Sequence, residues 1–70
     1  MIVKAARRPA DSYLRLVRRC PLRELRNDGE YDAAVRLLAR LTGRDIRLDP
    51  GERDYVRALS VLVDQYERER

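Results

Sequence analysis

Seventy residues make at most one domain, and a chain this short buries only about 60% of the surface its unfolded form exposes, so its core has to be small. Four residues in ten are charged, with sixteen basic against twelve acidic for a net +4; Cys20 is the only cysteine and histidine is absent. These facts exclude an internal disulfide and a cysteine-based metal cluster, and they remove both the commonest general base and the commonest transition-metal ligand.

The start of the chain, residues 1–8, has no apolar stretch of signal-peptide type and is expected to be flexible. No run approaches the ~20 apolar residues of a membrane span, so a cytoplasmic location with no membrane contact is expected. A first helix is predicted over about 9–19. Pro9 suits a first turn, and Asp11 and Ser12 are favourable near a helix start. At 100° per residue Tyr13, Leu14, Leu16, Val17 and Cys20 share one arc, and Asp11, Arg15, Arg18 and Arg19 the opposite one. Residues 1–26 carry eight basic groups against two acidic ones, a net +6, whereas residues 27–70 carry eight against ten, a net −2. Arg15, Arg18 and Arg19 are therefore the candidates for a nucleic-acid contact, although an Arg-rich solvated face explains the same pattern. Pro21 ends this helix by forcing the preceding residue out of the α region, and Cys20 to Arg26 reads as an extended connector.

Asn27 followed by Glu30 has the spacing of a capping box and opens a second helix over about 28–42. Asp28, Glu30 and Asp32 place negative charge where the helix dipole favours it. Tyr31, Ala34, Val35, Leu38 and Leu41 form the apolar arc, widened by Leu37, and Gly43 is a natural stop. Ile46 and Leu48, in the break that follows, are expected to fold back onto the helices. Asp49-Pro50-Gly51-Glu52 is a second start signal, with a capping Asp, Pro at the first helical position and Glu three residues after the cap. The third helix, about 50–67, has Tyr55, Val56, Leu59, Leu62, Val63 and Tyr66 on one face. Ala58 and Val61 extend that face, either to meet the first helix or to form a dimer seam. The prediction is an all-α domain spanning 1–70, with an antiparallel hairpin of the second and third helices and the first helix over the groove between them.

No catalytic constellation emerges. Glu30 with Asp32, and Glu52 with Asp54, are two residues apart on helices and do not converge. Ser12 and Ser60 have no histidine to activate them. The glycines are isolated at helix ends, so there is no phosphate-cradling loop, and no cofactor or metal is expected. The four tyrosines are read as core residues whose hydroxyls reach the surface. A DNA-reading helix-turn-helix needs a turn of three or four residues, and the break here is twice as long.

Certain motifs go beyond amphipathic periodicity. These are Pro21-Leu22-Arg23-Glu24-Leu25-Arg26, then Asn27-Asp28-Gly29-Glu30-Tyr31 with Ala34, then Gly51-Glu52-Arg53-Asp54-Tyr55, and finally Val63 with Tyr66-Glu67. From Pro21 to Glu67 the chain resembles the segment that precedes the helix-turn-helix domain in HigA-type antitoxins of the XRE family of regulators. The resemblance implies a helical, non-enzymatic segment that helps to hold a RelE- or HigB-like ribonuclease toxin. Such toxins are typically basic, so Asp28, Glu30, Asp32, Glu52 and Asp54 are the expected partner-binding residues. No helix-turn-helix lies within these seventy residues, so operator binding is not carried over, and the basic first helix has no counterpart in this picture. Self-association is expected from the small core. The alternatives are a nucleic-acid accessory protein acting through its basic first helix, and a structural dimerisation piece.

Overall fold

Three helices account for most of the structure, a computed structural model that describes residues 11–43 and 46–69. They are α1 (Asp11–Arg19), α2 (Asp28–Leu41) and α3 (Pro50–Glu69), and there is no strand among the described residues. The all-α prediction holds, with α3 running two residues further than expected. Expectations for residues 1–10, including the flexible start and Pro9 in a first turn, lie outside the described residues.

Local chemistry explains the helix starts. At α3 the capping box is reciprocal: the Glu52 N–H donates to Asp49 Oδ1 at 2.8 Å and the Asp49 N–H donates to Glu52 Oε1 at 2.9 Å. At α2 the Glu30 N–H donates to Asn27 Oδ1 at 2.8 Å, but the Glu30 carboxylate takes the N–H of Arg26 rather than that of Asn27. The capping box predicted there is thus displaced by one residue, because Glu30 also reaches the Arg23 guanidinium at 3.1 Å. The end of α2 differs from expectation too. Thr42, not a left-handed glycine, closes it, with both its N–H and its hydroxyl on the Leu38 carbonyl. At Gly43 a Cβ would meet Ile46 Cδ1 at 3.0 Å, so this glycine serves a close approach instead.

The core is small and centred on α3. Ala34 and Leu37 from α2 meet Tyr55, Leu59 and Val63 from α3, and Tyr13, Leu16, Val17, Cys20, Leu22 and Leu25 pack around them. Both α1 and α2 pack against α3, but among the described residues the first two helices make no close backbone approach to each other. The expectation that α1 covers the groove of the hairpin is therefore corrected. Its short apolar arc docks on the N-terminal half of α3, where the Tyr13 ring meets the Tyr55 ring edge-on at 6.4 Å. The Ser12 hydroxyl donates to Asp49 at 2.7 Å. The half-buried Leu22 and Leu25 of the connector supply the next apolar contacts.

Several side chains sit differently from their predicted arcs. Ala34 and Leu37 face α3, and Val35 is left 38% exposed. The small Ala34 allows the two backbones to approach, and that rotates Val35 outward. Ile46 stays 49% exposed and does not join the core, whereas Leu48 is half-buried. Val61 is 61% exposed, so α1 does not cover it. Leu14 lies at the rim of the α1 arc, half in water.

Candidate binding surfaces

The hairpin is closed at one end by a pair of crossed tyrosine–carboxylate bonds. Tyr31 of α2 and Tyr66 of α3 stack with ring centroids 5.1 Å apart and planes at 26°. The Tyr31 hydroxyl donates to Glu67 of α3 at 2.5 Å, and the Tyr66 hydroxyl donates to Asp28 of α2 at 2.6 Å. The start of α2 is thereby held against the end of α3, which makes the pair antiparallel. Beside this latch Glu30 gathers the connector by accepting from the Arg26 backbone and the Arg23 side chain. The Arg26 N–H, and after it the positive charge of Arg23, hold the Glu30 carboxyl below its usual value of 4.5. Glu24, Leu25 and Arg26 of the connector face Tyr66 and Glu69 of α3 across an open cleft of about 490 Å³.

The five acidic candidates separate into two groups. Asp28, Glu30 and Asp32 lie at the latch, whereas Glu52 and Asp54 lie in the first turns of α3, about 18 Å away along that helix. Glu52 is committed to its capping box, and Asp54 is exposed. Asp32 is exposed as well, while Asp28 and Glu30 hold the latch and the connector. Glu24, Glu67 and Glu69, missed in the sequence, join the latch group because the connector and the end of α3 come together there. The connector 21–26, the opening turn 28–32 and residues 62–69 hold seven acidic side chains (Glu24, Asp28, Glu30, Asp32, Asp64, Glu67, Glu69). Against them stand three basic ones (Arg23, Arg26, Arg68), one of which is paired with Asp64 at 2.8 Å. No periodicity within a single helix could have signalled this, since three separate segments contribute.

Arg15, Arg18 and Arg19 are all exposed on α1 and form no ion pair among the described residues. Tyr13 faces the core rather than this basic face. Tyr55 departs from its reading as a residue with a hydroxyl at the surface. It is 0% exposed, and its hydroxyl donates to the Cys20 carbonyl at 2.6 Å. Burial, and then that bond, push its pKa well above the usual 10.0. Cys20 is half-buried at the end of α1. Among the described residues no group of three or more His, Cys, Asp or Glu side chains is placed to hold a metal ion. No helix there is long and apolar enough to cross a membrane.

Comparison of the chain with protein-family models, curated proteins and solved structures finds no match.

Proposed function

We propose that this chain is a non-catalytic, antitoxin-like module of the cytoplasm that binds a basic protein partner, a RelE- or HigB-like ribonuclease toxin, by occlusion. The observation that carries the reading is the acid-rich end of the hairpin. Connector, α2 start and α3 end pool seven carboxylates there against three guanidinium groups. Complementary charge of this kind raises the rate of encounter with a basic partner and disfavours acidic ones. The residues behind the resemblance to HigA-type antitoxins also support it. Arg23, Glu30, Tyr31, Tyr66 and Glu67 are far apart in sequence, yet all of them belong to the latch or its clamp. A motif set drawn from separate segments that together close one end of a hairpin supports kinship of the whole segment, not of isolated helices.

Co-expression with a RelE-like ribonuclease tests the proposal. Relief of the growth arrest and a complex on size exclusion are expected, and substitution of Glu24, Asp32 and Glu69 by Gln or Asn should slow association. Continued arrest with no complex would overturn the reading. Self-association is part of the same proposal, and light scattering that reports an 8 kDa monomer at high concentration would contradict it.

A further inference from the structure

We infer that the outward face of α1, carrying Arg15, Arg18 and Arg19, is a contact surface for the phosphate backbone of a nucleic-acid duplex. The three side chains lie within a 100° arc of one helix, spread over about 6 Å of its axis. None of them has an ion-pair partner among the described residues, whereas Arg23 and Arg68 are matched with Glu30 and Asp64. Asp49 feels the charge of Arg15, but its carboxylate already accepts from the Glu52 backbone and the Ser12 hydroxyl, and Asp11, one turn before Arg15, forms no ion pair with it. The face is also rigidly held. Ser12 ties the beginning of α1 to the start of α3, and the Tyr55 hydroxyl ties its end through the Cys20 carbonyl.

The fold narrows the choice of polyanion. A basic amphipathic helix that enters a lipid surface needs a free apolar face, but Tyr13, Leu16, Val17 and Cys20 are used against the core. Single-stranded nucleic acid is gripped by aromatic rings that stack on bases, and the one tyrosine of α1 is turned to Tyr55. What remains is three exposed, always-charged groups suited to phosphate contacts through their charge. Contacts from these groups to phosphate oxygens position a duplex and carry no sequence information of their own. The start of α1 is bonded to Asp49, at the end of α3 opposite the latch, so a basic protein and a duplex can be held together.

Anisotropy of a labelled ~20-bp duplex with the full chain, titrated between about 20 and 200 mM KCl, tests the inference. Three phosphate contacts predict a slope of log K against log salt near −2.7. The slope should be equal for two unrelated sequences, and binding should be lost in the Arg15→Gln, Arg18→Gln, Arg19→Gln triple variant and kept when Lys replaces all three. Arg18 and Arg19 also sit where the α1 dipole favours cations. The mid-helix Arg15→Gln variant therefore gives an independent reading, a slope shallower by about 0.9. No binding at the lowest salt would overturn the inference, as would an unchanged slope in Arg15→Gln. Tighter capture by phosphatidylserine vesicles or polyglutamate than by the duplex would overturn it equally.

Discussion

At the residue scale the side chain with most to lose is Tyr55. Its ring fills the junction between α1 and α3, and its hydroxyl satisfies the Cys20 carbonyl at the point where the chain turns into the connector. Tyr55→Phe keeps the ring and removes the bond, which should cost about 1–3 kcal/mol, the penalty for leaving a part-buried carbonyl without its donor. Urea denaturation measures this directly, and an unchanged midpoint would mean that the bond contributes nothing. Glu30 and Asp49 make a different prediction. Both carboxyls are held below their usual values of 4.5 and 3.8, Glu30 by the Arg26 N–H and Asp49 by the Glu52 N–H. A folded-state pKa below the unfolded one gives stability that is present above the unfolded value and lost as pH falls through the folded one. The Tm should therefore drop on acidification below about pH 4, and Glu30→Gln should flatten part of that drop. Tyr55 works in the opposite sense. Its raised pKa means stability that is intact below pH 10.0 and eroded above it.

At the element scale the caps decide where helices begin, and they differ in strength. Asp49 accepts from Glu52 and Ser12, and thus fixes the α3 start and the α1 start at once. The Asn27 side chain accepts only from the Glu30 N–H. Loss of either cap should cost about 1 kcal/mol, with Asp49→Ala the larger of the two because it also frees Ser12. Thermal melts of the two variants would settle the order. These starts were legible from spacing alone, as both depend on bonds spanning three residues. The face that α2 buries was legible as well, with one exception. Tyr31, Ala34, Leu37, Leu38 and Leu41 all lie in or against the core, and only Val35 is turned out into water.

At the scale of the whole molecule, five buried side chains among the described residues carry a core that three segments share around α3. Leu59 is at its centre, 1% exposed. Leu59→Ala should cost about 2–5 kcal/mol, comparable to the roughly 3–5 kcal/mol that a core of this size supplies. The variant should therefore be largely unfolded at room temperature by circular dichroism. Val61, out in water on the same helix, should tolerate Ser within about 0.5 kcal/mol in dilute solution. A large loss there would mean that a partner surface covers it even at low concentration.

The all-α class, the starts of α2 and α3 and the basic face of α1 were all legible in the sequence. Each depends on residue type or on bonds within one turn. Tertiary structure alone decided that α1 leans on α3 and leaves the groove, that Tyr55 is sealed in, and that Glu24 and Glu69 join Asp28, Glu30 and Asp32. These outcomes come from contacts between residues more than thirty positions apart. Such contacts are chosen by how side chains of particular shape fit across helices, and no local pattern encodes that choice.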